Sequence, residues 1–178
     1  MSTLKSIHAG LTQAEQDYIR ISKVINYDVK PKEDQIKCAI YRALCDSKYL
    51  VHVEARYPKA SQRCDLIAIN LSTDERIAIE IKTAWAGRNW VNKPKEQAST
   101  WRADIEKLLE LQENGWVNSG YFILCFAYEE GSPAERKLRG EAKTLGGTWS
   151  TPFSISNWNG LNKIQFLVLD VFETLSHH

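Results

Sequence analysis

Apolar residues recur along this chain at two periods, and the two periods separate helices from strands. Thr12-Gln-Ala-Glu15 matches a capping box, S/T-x-x-E, and predicts a helix over 12–25. Pro31 suits the first turn of a second helix, in which Ile36, Ala39, Ile40, Ala43 and Leu44 return at helical spacing. The stretch 49–57 is rich in β-formers and partly alternating, which predicts a strand ending at Pro58. Two further strands are expected at 65–71 and 76–83, joined by the turn Ser72-Thr-Asp-Glu75. Three strands with short links imply an antiparallel meander. A third helix over 96–112 carries Trp101, Ile105, Leu108 and Leu109 along one stripe, with Gly115 as its end signal. The continuous apolar run 121–128 reads as a buried strand. Ser132-Pro-Ala-Glu135 combines an N-cap, a proline at the first helical position and a capping-box glutamate, and Gly146-Gly147 ends the helix so begun. A last strand is expected over 163–172, after the turn-like Asn157-Trp-Asn-Gly160. Helices and strands in this order predict an α/β fold, with a mixed central sheet flanked by helices, in one domain spanning 1–178.

The strand expected at 76–83 carries the chemistry. Residues two apart on a strand share a face, so Ala78, Glu80 and Lys82 lie on one side and Ile77, Ile79 and Ile81 on the other. An acid and an amine are thereby held side by side against an apolar back. Asp65 opens the neighbouring apolar run, Asp-Leu-Ile-Ala-Ile69. The plain alternatives are an ion pair of Glu80 with Lys82 on a half-exposed strand, and a strand-start acid at Asp65. Charged residues are nevertheless rare inside apolar β runs. Hydrolysis of a phosphodiester needs stabilisation of growing negative charge and an activated water. Mg²⁺ serves both needs from one or two carboxylates, and Mn²⁺ can substitute. Asp65 and Glu80 are the candidate ligands, with the backbone carbonyl of Ile81 as a third. Lys82 would orient the water or stabilise the transition state. A lysine beside two carboxylates stays protonated without metal, so a general-base role is not assigned to it.

Asp65, then fourteen residues, then Glu80-Ile-Lys82, set on the second and third strands of a meander that a helix precedes, resembles the PD-(D/E)xK, or restriction-endonuclease-like, nuclease superfamily. The resemblance covers about residues 31 to 128 and implies an αβββαβ core. The helix over 12–25 and the segment 130–175 would be additions to it. Cys64 stands before Asp65 where the motif has proline, a position that varies widely in the family. Many members carry one more acid on the first core helix or first strand. Glu33 and Glu54 are the candidates here, and Glu54 is preferred, with a solvated edge-strand position as its plain reading. The resemblance implies a Mg²⁺-dependent endonuclease acting on DNA. The competing readings are a non-catalytic nucleic-acid-binding or regulatory protein that keeps the fold, and a nuclease acting on RNA. No short motif separates DNA from RNA.

Composition narrows the field further. The 178 residues, 43% apolar and 25% charged, suit a soluble globular domain. No apolar run approaches the ~20 residues that span a bilayer, and the N-terminal stretch lacks the apolar core of a secretory signal, so a cytoplasmic protein without membrane partners is expected. Four scattered cysteines, with no C-x-x-C pair, read as reduced and mostly buried thiols. A net charge of +1 excludes a generally basic nucleic-acid binder, so any polyanion site must be local. The stretch 85–95 is the local candidate: Trp85 and Trp90 would stack on bases while Arg88, Lys93 and Lys95 meet phosphates. Its plain reading is that the aromatics seal the core and the charges are solvated. Arg102 and Lys107 on the following helix would face DNA or, for Lys107, join Glu106 and Glu110 in ordinary surface pairs. His8 and His52 have no partner spacing. Neither a G-x-S-x-G elbow nor a phosphate-binding G-x-x-x-x-G-K-[ST] loop is present. A homodimer is left open, since no sequence feature demands one.

Overall fold

The structure, a computed structural model, describes residues 2–24, 31–56, 63–86, 94–155 and 161–172. In chain order the elements are α1 (Thr3–Val24), α2 (Glu33–Asp46), β1 (Tyr49–Arg56), β2 (Arg63–Asn70), β3 (Arg76–Ala86), α3 (Pro94–Glu113), β4 (Ser119–Tyr128), α4 (Pro133–Lys143), β5 (Thr148–Trp149), β6 (Phe153–Ser154) and β7 (Lys163–Asp170). The fold is α/β, and between α2 and β4 the order is αβββαβ.

The helix expected from 12 in fact begins at Thr3. Thr12 lies in mid-helix, where its hydroxyl donates to the His8 carbonyl at 2.9 Å. The capping-box match is a coincidence of residue types. The buried row Ile7, Leu11, Ala14 and Tyr18, at i, i+4, i+7 and i+11, carries the helix back to its true start. Gly10 faces α2 so closely that a Cβ there would lie 2.7 Å from Ile40 Cα, so only glycine lets the two backbones cross at this distance. The best-marked helix start holds: Ser132 Oγ accepts the Glu135 N–H at 3.1 Å, Pro133 opens the helix, and Glu135 Oε2 accepts the Gly131 N–H at 2.7 Å.

The sheet runs β1-β2-β3-β4-β7-β5, with β6 also on β7. The first three strands form the expected antiparallel meander. β3 and β4 are parallel, a pairing that requires a long crossover, which α3 supplies. β5 and β6 were not legible in the sequence, because strands of two residues carry no period. β4 explains its own continuous apolar run. Tyr121, Ile123, Cys125 and Ala127 face the core under α1 and α2, and Phe122, Leu124, Phe126 and Tyr128 face the core under α3 and α4. The sheet is thus the middle of three layers.

The apolar row of α3 differs from the expected one. Ala98, Trp101, Leu108 and Leu111 are buried, whereas Ile105 and Leu109 are only partly covered. Cys64 and Cys125 are buried, but Cys38 and Cys45 point outward from α2, against the expectation of mostly buried thiols, because the buried row of that helix runs through Ile36, Ile40 and Leu44. No described helix is long and apolar enough to cross a membrane.

Candidate active site

The β2–β3 ladder runs from the Ile69–Arg76 pair to the Leu66–Ile79 pair and stops there. Beyond it the two strands fork, and side chains replace the lost backbone partners. The Cys64 thiol donates to the Ile79 carbonyl at 3.2 Å. Asp65 Oδ2 accepts the Ile81 N–H at 2.8 Å. One step further, Glu33 Oε1, from the first turn of α2, accepts the Thr83 N–H at 3.2 Å. Two β3 amides that a neighbouring strand would take are therefore held by carboxylates. The other edge of β3 stays paired to β4 as far as Ala86, so the fork has one rigid wall. The N–H and C=O of a strand residue face the same edge, so the Ile81 carbonyl, a proposed ligand, also faces the fork.

From the α2 side, Lys37 enters the fork. It is buried, its ammonium lies 2.9 Å from Asp65 Oδ1, and it also pairs with Glu54. Exposed Asp34 stands at the rim, 3.8 Å away. Burial disfavours the Lys37 charge, but the hydrogen bonds it donates to Glu54 and Asp65 outweigh this and hold the lysine protonated well above its usual range. Glu54 sits between the paired residues Val53 and Ala55 with φ of 52°, a left-handed conformation uncommon away from glycine. Backbone strain of this kind concentrates at functional positions.

From the α3 side come Asp104 and Lys107. Glu80 is only 2% exposed. Its Oε1 lies 2.5 Å from Lys107 Nζ, yet it receives no aligned hydrogen bond. Burial pushes the Glu80 carboxyl up to about 7; Lys107 opposes this, and Asp65 and Asp104 add to it. Asp104 bridges both lysines, with Oδ2 at 3.3 Å from Lys82 and Oδ1 at 3.2 Å from Lys107. Lys107 also donates to the Arg63 carbonyl at 3.0 Å. For Lys82 and Lys107, burial again works against the charge, and surrounding carboxylates prevail, so both stay protonated more firmly than a free lysine.

Glu80 and Lys82 thus share the α3 side of β3, as the strand period requires, but they do not pair with each other. Glu80 meets Lys107, and Lys82 meets Asp104. The fields of Asp65 and Glu80 both act on Lys82, and that of Asp65 acts on Glu80. Glu33 and Glu54 both reach this cluster, one through Thr83 and the other through Lys37. Lys107 turns inward, so the surface pairing with Glu106 and Glu110 is not what it makes. Arg102 points away, toward Glu141 at 3.5 Å and Thr144 at 3.2 Å. Trp85 is half-buried near the end of β3 and packs against the α1–α2 core. Lys95 is exposed in the first turn of α3 and lines, with Arg136 and Lys137, a cavity of about 640 Å³ between α3 and α4. Arg88, Trp90 and Lys93 lie outside the described residues.

Sequence reasoning missed Lys37 and Asp104. A signal existed for both. Lys37 lies beside the buried row Ile36, Ile40, Leu44, and Asp104 in the row Trp101, Asp104, Leu108, Leu111, so each places a charge on an otherwise apolar helix face.

Among the described residues, no three acidic, histidine or cysteine groups meet in ready-made metal-ligand geometry. The donor set nevertheless suits a hard dication. Five carboxylates (Glu33, Glu54, Asp65, Glu80, Asp104) face three ammonium groups (Lys37, Lys82, Lys107), which leaves two negative charges uncompensated when all are ionised. Glu80 Oε1 is a buried acceptor without an aligned donor, and oxygen ligands alone favour Mg²⁺ or Mn²⁺. Comparison with protein-family models, with curated proteins and with solved structures finds no match for this chain.

Proposed function

We propose that this α/β protein is a metal-dependent endonuclease of the PD-(D/E)xK type, with DNA as its substrate. The observation that carries the reading is the strand fork: Asp65 is fixed by the Ile81 amide beside Glu80 and Lys82, on the side of β3 where pairing has ceased. Asp65 and Glu80, with the Ile81 carbonyl, would hold Mg²⁺. When bound, that ion supplies charge stabilisation at a phosphate oxygen and a more acidic water. Lys82, 27% exposed and firmly protonated, is suited to meet developing negative charge on the phosphate rather than to remove a proton. Glu33 and Lys37 brace the fork from α2. Lys95 and the stretch 85–93 are the proposed path for the rest of the nucleic acid.

One observation favours a second reading. Lys37, Lys82 and Lys107 each already hold a carboxylate, and a cluster whose amines are all engaged also suits a protein that binds nucleic acid elsewhere on its surface without cutting it. Incubation of the protein with plasmid, single-stranded DNA and RNA, with Mg²⁺ or Mn²⁺ and with chelator, separates the readings. The expected result is metal-dependent cleavage of DNA, lowered at least ~100-fold by Asp65→Ala, Glu80→Ala or Lys82→Ala. Cleavage confined to RNA would move the substrate. Binding without cleavage under every metal condition would support the second reading, and undiminished cleavage by Glu80→Ala would reject the site.

A further inference from the structure

The contact between Lys107 and Glu80 poses a problem for any site built on Glu80. A metal–carboxylate bond is about 2.1 Å long, and the Lys107 ammonium already stands 2.5 Å from the same oxygen. Two cations on one buried oxygen repel strongly where the dielectric is low. One of them must leave. Lys107 has a second acceptor within reach, Asp104 Oδ1 at 3.2 Å, one helical turn away on the same element. Asp104 is held in place from its other side by Lys82. The Lys107–Glu80 contact is close but poorly aligned, whereas Lys107 makes hydrogen bonds to Asp104 and to the Arg63 carbonyl. The side chain is therefore anchored at two points that do not involve Glu80.

We propose that Lys107 is an internal cation that closes the site in the metal-free protein, and that it gives up Glu80 and rests on Asp104 and the Arg63 carbonyl alone when a divalent cation takes Glu80. This inference rests on the metal-site reading above. It makes Lys107 and Asp104 positioning residues. Lys107 keeps a buried carboxylate neutralised while no metal is present, and Asp104 holds Lys107 without releasing Lys82. The arrangement sets a threshold, since only a cation able to displace an ammonium from a buried oxygen occupies the site.

The test is metal binding, read as the rise in Tm of the full chain against MgCl2 at pH 8.5. Lys107→Met removes the competitor, and its half-saturating Mg²⁺ concentration is expected to fall about tenfold, equivalent to ~1.4 kcal/mol. Lys107→Arg restores the competing charge and should return it close to wild type. Asp104→Asn removes the carboxylate on which Lys107 rests and should raise the half-saturating concentration several-fold. A purely structural role would not move the two positions in opposite directions. Should Lys107→Met prove too unstable to measure, Lys107→Gln takes its place as the variant without the competing charge, with the same fall expected and an unchanged half-saturating concentration overturning the proposal. Equal Mg²⁺ response in wild type and all variants would overturn the displacement of Lys107 while leaving the metal site standing. No Mg²⁺ response in any of them, wild type included, would overturn both.

Discussion

At the scale of single residues, the site is a set of charges held where water is scarce. Glu80 shows the consequence most clearly. Its carboxyl titrates near 7 in the fold against 4.5 for an unperturbed glutamate, chiefly because burial disfavours the charged form. The folded protein therefore keeps this proton over a range in which the unfolded chain has lost it. The sign follows by linkage. Stability from this group is fully present below about pH 4.5, is lost as pH rises towards 7, and stays lost above. In metal-free buffer, the unfolding free energy of wild type should fall between pH 5 and 8 relative to Glu80→Gln, by on the order of 3 kcal/mol. Denaturant titrations of the two proteins at several pH values measure this directly. Parallel pH profiles would show that Glu80 is not held in a desolvated position. The glutamine variant keeps the shape of the protonated acid, so it should be at least as stable as wild type at pH 8.

At the scale of elements, α2 and α3 reach one break in the sheet from opposite faces. This places Glu33 against the Thr83 amide and Lys37 against Asp65 on one side, and Asp104 and Lys107 against Glu80 and Lys82 on the other. The position of α2 depends on its crossing with α1 at Gly10. Gly10→Ala gains up to ~1 kcal/mol of helix propensity, but it forces a methyl group against the Ile40 backbone, and overpacking of that kind costs about 1–3 kcal/mol. A net loss of ~1–2 kcal/mol is expected in denaturant titration, with a several-fold drop in cleavage as α2 shifts its two side chains. A stabilised Gly10→Ala protein would contradict the close crossing. The elements themselves were largely legible. Period-2 alternation put Glu80 and Lys82 on one face, and the capping residues at Ser132 and Glu135 marked α4. The start of α1 was misread because a capping box is a match of residue types, and Thr12 satisfies it while bonding back to His8 inside the helix. The fork was not legible, since no local pattern says where two strands stop pairing. It depends on Asp65 and Glu33 outcompeting a strand for the amides of residues 81 and 83, a contest settled by tertiary packing.

At the scale of the molecule, a three-layer α/β fold with near-neutral net charge gathers five carboxylates and three amines at one break in its sheet. The net charge of +1 hides a cluster in which acids outnumber amines, and such a cluster repels a phosphate backbone unless a cation joins it. On the proposed reading, a divalent cation would supply the charge that this balance lacks. The sequence pointed to Glu80 and Lys82 because they break an apolar run, and to Asp65 because it opens the neighbouring one. It was silent on their bracing by Lys37 and Asp104, because those partners lie far away along the chain and meet them only in the fold. The most direct measurement is the rate of plasmid cleavage at saturating Mg²⁺ and pH 8 by wild type and by Glu80→Gln, both shown to be folded. Metal-dependent cleavage by wild type that is lost in the glutamine variant is the expected result. Equal rates in the two proteins, or no cleavage by wild type with any divalent metal, would contradict the assignment.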